Sequence, residues 1–159
     1  MKEKIRISGF ADEISADFDV QLKTVTDLGM HYISLRSADG IGVADYTPDL
    51  VKEKLLPRLK AAGVGVSSLG SPIGKVDIKD EAGFQKQLAQ LRTLCEIAHL
   101  LDCRYIRMFS FYMPKDEDPA DYRTQVIDKL RQFIAVAEEN DVVLLHENEK
   151  EIYGDTGAR

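Results

Sequence analysis

The sequence predicts an α/β fold in which a parallel sheet is built from successive βα units. Three observations predict it. Five short apolar runs alternate with four amphipathic stretches of helical period. The turns entering the apolar runs are short (LGMH, AAG, LDC, END), whereas the segments leaving them are long, polar and aromatic (GFADEIS, RSADG, SLGSPIGK, RMFSFYMPKDEDP, HENEKEIYGDT). No linker or low-complexity segment breaks the rhythm, so residues 1–159 read as a single domain.

Residues 4–9 (KIRISG) read as the first strand. Ser15 is a candidate cap for a helix with Phe18, Leu22, Val25 and Leu28 on its apolar face and Gly29 as its stop. Residues 31–36 (HYISLR) form a second strand. Pro48 opens a helix through Val51, Leu55 and Leu59 that ends before Gly63, with Pro57 kinking or shortening it. A third strand covers residues 64–69 (VGVSSL). Asp80 starts a long helix with Phe84, Leu88, Leu91, Leu94, Ala98 and Leu101 on one face. Residues 104–109 (RYIRMF) are a fourth strand, Pro119 opens a helix carrying Tyr122, Val126, Leu130, Phe133 and Ala137, and residues 142–147 (VVLLHE) are a fifth strand.

Strands alternating with helices imply right-handed parallel crossovers. Two architectures fit: an open doubly wound sheet, or the first four to five units of a (β/α)₈ barrel, whose complete form takes about 250 residues. The doubly wound fold favours a glycine-rich phosphate loop after its first strand. SGFADEIS has one glycine and two acids and resembles neither GxGxxG nor a Walker loop. In both architectures ligands bind at the carboxyl ends of the strands, where the long polar segments lie.

A net charge of −6 disfavours nonspecific association with nucleic acid or an anionic membrane surface, because both are polyanions. No apolar run is long enough to span a bilayer, and MKEKIRISGF lacks the apolar core of a signal peptide. Cys95 and Cys103 lie in apolar surroundings without metal-like spacing. A cytoplasmic protein with two reduced, buried thiols is expected.

SLGSPIGK, IRMFSFY and LLHENEKEIYGDT, in this order and each at a strand end, resemble the xylose-isomerase-like sugar phosphate isomerase/epimerase family. This TIM-barrel superfamily also includes apurinic endonucleases and inosose dehydratases. The resemblance covers the whole chain, which matches the first five strands of that fold. It implies a divalent metal (Mn, Mg or Zn) held by four side chains at the ends of strands five to eight. The first is a glutamate in an E-N pair, and Glu147 followed by Asn148 matches it. The two-residue strand period puts Val143, Leu145 and Glu147 on one face, with Glu147 at the exit. The resemblance implies that such a glutamate also takes a proton from the carbon beside a carbonyl. Read without the resemblance, Glu147 is a solvated residue of an acidic loop. The other implied ligands belong to strands beyond the five read here, and GDTGAR stops in mid-loop. A truncated, inactive portion of a metal-dependent sugar isomerase or epimerase is therefore expected. A noncatalytic half-barrel that self-associates is the alternative, and a phosphohydrolase related to apurinic endonucleases is a weaker one.

Arg36 and Arg107 close the second and fourth strands. Alternate strands fill one layer of a barrel, so both can face one anionic substrate group. Pairing with acids at the rim is the competing reading. Lys75 in SPIGK can reach the same group, or remain a surface lysine. Tyr112, with Phe109 and Phe111, can wall a pocket for a small polyhydroxylated substrate, or pack in the core. Asp12 and Glu13 either line the pocket or approach a helix cap. His146 faces away from Glu147 and is read as packed or as a supporting partner. An open sheet would expose apolar edges and its inner face, so a homodimer or higher oligomer is expected.

Overall fold

The structure, a computed structural model, describes residues 5–157. Four strands form a parallel sheet: β1 (Tyr32–Leu35), β4 (Gly65–Leu69), β5 (Tyr105–Met108) and β6 (Val143–His146). Their order in the sheet is β1-β4-β5-β6, which is also their order in the chain. A doubly wound sheet reverses strand order at a switch point. This sheet has no reversal, so the doubly wound alternative fails and the partial barrel stands.

The helices cover one face of the sheet. Ile33, Leu35, Val66, Leu69, Ile106 and Met108 point into the single core cluster. There they meet helices α1 (Phe18–Asp27), α3 (Leu56–Ala62), α4 (Glu81–Leu100) and α5 (Arg123–Glu139). The alternate residues Tyr32, Ser34, Ser68, Tyr105, Arg107, Val143 and Leu145 face the other way and are half-buried or exposed. The apolar face expected of α4 is buried from Phe84 to Leu101, and Cys95 and Ile97 widen it. Phe84, Phe111 and Phe133 pack together with ring centroids 5.3–6.0 Å apart.

The short turns before the strands share one geometry. Each helix ends through a left-handed residue: Gly29, Gly63, Asp102 and Asp141, with φ between 49° and 70°. The next N–H then reaches back five residues, from Met30 to Val25, Val64 to Leu59, Cys103 to Ala98 and Val142 to Ala137. This is the Schellman closure, which satisfies carbonyls that the helix end would leave unpaired. Its recurrence makes the βα unit a true structural repeat.

Four expectations are corrected. Lys4 lies outside the described residues, and residues 5–9 form no strand. Their ties to the sheet include the Ser34 N–H donating to the Gly9 carbonyl (2.9 Å), a 2.6 Å contact between the Ser8 and Ser67 hydroxyls, and Arg6 lying 5.1 Å from the Tyr32 ring centre. Ile5 and Ile7 are exposed, so the segment lacks the burial that would hold it in register. The cap of α1 is Asp17, which accepts from the N–H groups of Asp19 and Val20, while Ser15 accepts from Asp17. Leu28 lies beyond the helix and is exposed. The helix opened by Pro48 is split: α2 (Pro48–Leu50), a π-helical turn (Val51–Leu55), then α3. Pro57 has no N–H to donate four residues back, and the turn widens where that bond is missing.

RSADG, read as plain loop, contains a small hairpin of β2 (Ser37–Ala38) and β3 (Ile41–Gly42). Its two turn residues, Asp39 and Gly40, both have positive φ (51° and 75°). Asp-Gly favours this turn. Cys95 and Cys103 are free and buried, and burial pushes the Cys95 thiol up to about 11. Both thiols are therefore expected to resist alkylation at pH 8 in the folded chain and to react once denaturant unfolds it. Fast native-state labelling, read by mass spectrometry, would contradict the burial.

Candidate functional site

The carboxyl ends of the strands carry the site, and three backbone segments assemble it. Residues 109–113 run on beyond β5 and are bonded on both sides. On one side Phe109 N–H donates to Ile73 O, Phe111 N–H to Gly74 O and Tyr112 N–H to Val76 O, over 2.7–3.0 Å. On the other, Met113 N–H donates to Glu151 O and Tyr153 N–H to Phe111 O. The loops after β4 and β6 are therefore stitched to β5. Phe111 takes φ +70° to serve both partners, a conformation that a side chain rarely adopts. Gln87 of α4 closes the assembly: its Oε1 accepts from Gly74 N–H at 2.7 Å.

Across this platform five side chains alternate cation and ring. The Arg36 guanidinium lies 4.7 Å from the Phe10 ring centre, and Arg107 lies 5.0 Å from the same ring. Arg107 is also 5.0 Å from the Phe109 ring, and Lys75 Nζ is 4.4 Å from it. The order is Arg36, Phe10, Arg107, Phe109, Lys75. Each such contact contributes about 0.5–2 kcal/mol, more where water is excluded.

Every cation in the ladder also has a carboxylate. Arg36 Nε donates to Asp12 Oδ2 at 2.7 Å and its Nη2 to Glu13 Oε1 at 3.3 Å. Arg107 Nη1 donates to Glu147 Oε2 at 3.3 Å, and Lys75 Nζ pairs with Glu149 Oε2 at 2.6 Å. The Asp12 partnership raises the Arg36 guanidinium above its ordinary value. Arg107 is fixed further by donating to the carbonyls of Gly70 and Ser71. Three cations face four carboxylates, so this rim is nearly neutral and densely hydrogen-bonding. Asp12 Oδ1 is buried with no donor among the described residues.

Of the residues that the sequence singles out, Arg36, Arg107, Lys75 and Glu147 come together here, and both arginines pair with acids at the rim. Tyr112 does not join them. It lines a separate cleft of about 470 Å³ with Asp77, Lys115 and Glu151. Phe109 and Phe111 are both fully buried, but of the two only Phe111 joins the core cluster, while the Phe109 ring meets Arg107 and Lys75. Asp12 and Glu13 sit in a 3₁₀ turn (Ala11–Glu13) on the approach to the Asp17 cap of α1, and both face Arg36. His146 points away from Glu147, toward α5. Its Nε2 lies 3.0 Å from the Ser110 hydroxyl, and Gly154 packs so closely that a Cβ there would meet the ring at 2.5 Å.

Phe10 and Glu149 were not identified from the sequence. An aromatic directly after the first apolar run, and a second acid two residues past Glu147, were the available signals. Among the described residues no three His, Cys, Asp or Glu side chains converge to hold a metal ion. Glu147 offers a single carboxylate, so these residues do not by themselves fit a divalent metal centre, which needs at least three protein ligands.

Comparison with known proteins places the chain. A family model described as xylose isomerase-like TIM barrel matches residues 22–158. A xylose isomerase-like TIM-barrel protein from Mycobacterium smegmatis, solved in complex with magnesium, superposes with a TM-score of 0.71 at 16% identity over 95% of this chain and 57% of that one. The IOLI protein with a binding zinc atom gives 0.69 at 14% identity, over 92% of this chain and 54% of that one. A D-tagatose 3-epimerase-like protein gives 0.68 at 14% identity, over 94% and 56%. The chain thus spans a little over half the length of these structures. No curated protein matches it. No helix among the described residues is long and apolar enough to cross a membrane. The chain belongs to the xylose isomerase-like TIM-barrel family.

Proposed function

We propose that this chain forms one side of the binding site of a sugar isomerase or epimerase, and that its strand-end rim binds a small polyhydroxylated ketose. The observation that supports this most directly is the ladder of alternating cations and phenyl rings, each cation matched by a carboxylate. Hydroxyls both donate and accept, and this rim offers N–H donors beside carboxylate acceptors, with the Phe10 ring among them. Arg36, Lys75 and Arg107 donate to the substrate's oxygens, and Asp12 and Glu149 accept from its hydroxyls. Because the cations are already matched, an uncharged sugar suits this part of the rim better than a phosphorylated one.

Glu147 is the proton-transfer residue in this reading. Its carboxylate, held by Arg107, takes a proton from the carbon beside the carbonyl. Returning it to the neighbouring carbon, as the hydroxyl proton passes to the former carbonyl oxygen, completes an isomerisation. Inverting the same carbon instead needs a second group that delivers a proton from the opposite face. Two neighbouring folds were solved with magnesium or zinc. Within a closed barrel Glu147 would be one donor to a divalent ion such as Mn, Mg or Zn.

D-Fructose titrated into the chain should shift the side-chain NMR signals of Arg36, Arg107 and Lys75, and Glu147→Gln should weaken that binding. No response at tens of millimolar would overturn the reading. In a protein that carries this sequence within a closed barrel, incubation with ketoses in D₂O should place deuterium beside the carbonyl. Glu147→Gln should slow that exchange by roughly a hundredfold or more. The 159-residue chain alone is expected to show no exchange.

A further inference from the structure

Phe10 stands between two guanidiniums at the rim. It comes from the segment before the first 3₁₀ turn, which is also tied to the sheet through Gly9, Ser8 and Arg6. The guanidiniums approach its ring from different strand ends, Arg36 at 4.7 Å and Arg107 at 5.0 Å. The ring rests on Gly70, at the exit of β4. A Cβ on Gly70 would lie 2.6 Å from Phe10 Cε1 and 3.0 Å from Arg36 Cβ. Gly70 has no positive φ, so its value here is space alone. Its carbonyl also accepts from Arg107 Nη2 at 3.1 Å. One glycine thus seats the ring and anchors the arginine beside it.

We infer that Phe10 is the positioning residue of the site, and that the gap at Gly70 is its seat. Resting on the proposed function, the inference is that Phe10 sets the direction of two side chains that meet the substrate. The ring holds Arg107 where it can pair with Glu147, and Arg36 where it can pair with Asp12. Phe10 is placed to act through these arginines and not on the reacting atoms. An aliphatic side chain of similar size would keep the segment's burial but lose the attraction of a ring face for a cation. An alanine methyl at Gly70 would push the ring off its seat and disturb the same two arginines together.

The Nε–Hε signals of the arginines report this directly, because a ring face moves them upfield. Arg58 lies 5.0 Å from the Phe18 ring and serves as the internal control. In Phe10→Leu the Arg36 and Arg107 signals should both move downfield while Arg58 stays. D-Fructose binding should weaken about fivefold to tenfold, the loss expected for one or two cation–ring contacts. Gly70→Ala should move the same two signals. In the double variant Gly70→Ala should add nothing to Phe10→Leu at the Arg107 signal, because the ring that met the methyl is gone, whereas Arg36, whose Cβ would lie 3.0 Å from the methyl, is touched in either background. Additive effects on Arg107, or Arg36 and Arg107 signals unchanged in Phe10→Leu, would overturn the inference. If the two signals respond as expected but the unaltered chain does not bind D-fructose, the positioning role stands and the sugar-binding reading fails.

Discussion

Gly74→Ala is expected to destabilise the chain by about 2–6 kcal/mol, which would lower its melting temperature by roughly 5–20 °C. Gly74 has φ +89°, and a Cβ there would lie 2.0 Å from the Phe109 carbonyl oxygen and 2.5 Å from its carbon. Two costs add. A side chain in that conformation costs about 1–3 kcal/mol. Forcing backbone apart costs about 1–3 kcal/mol more, and here nothing flexible can yield. The neighbours are committed: Gly74 donates to Gln87, its carbonyl accepts from Phe111 N–H, and Phe109 N–H is bonded to Ile73. Moving the glycine loosens the stitching that carries Lys75 and Phe109 into the ladder. Gln87→Ala, which leaves a buried N–H without its acceptor, should cost less, about 1–3 kcal/mol. Thermal melts of the two variants check the ranking. A Gly74→Ala protein within about 1 kcal/mol of the parent would show that this close approach is not rigid.

Most of the fold was legible because the two periods of helix and strand are written plainly in the apolar residues. The faces of α4 and α5 and the four sheet strands follow from them, to within a residue or so at the strand ends. What failed was local and had physical reasons. Residues 5–9 carry strand-like alternation, but pairing needs a neighbour that buries Ile5 and Ile7, and none of the described residues does so. Ser15 and Asp17 are equally good caps by type, and only the backbone decides between them. The site was half legible. Arg36, Lys75, Arg107 and Glu147 were readable as polar residues at strand ends. That Phe10 links two of them was not, because its contacts depend on how a loosely paired segment crosses Gly70. Tyr112 lies apart from them for a related reason. Past Phe111 with φ +70°, the chain no longer follows the strand's alternation.

The 159-residue chain by itself should self-associate, through the sheet face opposite the helices. Tyr105, Val143 and Leu145 on that face keep 45%, 39% and 42% of their surface exposed. They lie together, because Tyr105 pairs with Val143 and Arg107 with Leu145 across β5 and β6. Among the described residues β6 has no neighbour beyond β5, and β1 is met on its open side by the bond to Gly9 and by Arg6 over the Tyr32 ring. An apolar face beside open strand edges is what monomers avoid, since both the side chains and the unpaired backbone gain by being covered. A second copy offers the same apolar face and free edges, so two chains can cover each other. Light scattering at micromolar concentration should report a dimer or larger species. Leu145→Lys, at an exposed position where folding should tolerate it within about 0.5 kcal/mol, should shift the population toward monomer by setting charges against each other across the contact. A monodisperse monomer with a cooperative thermal transition would sink the idea, and so would an oligomer indifferent to Leu145→Lys, which would have to associate through another surface.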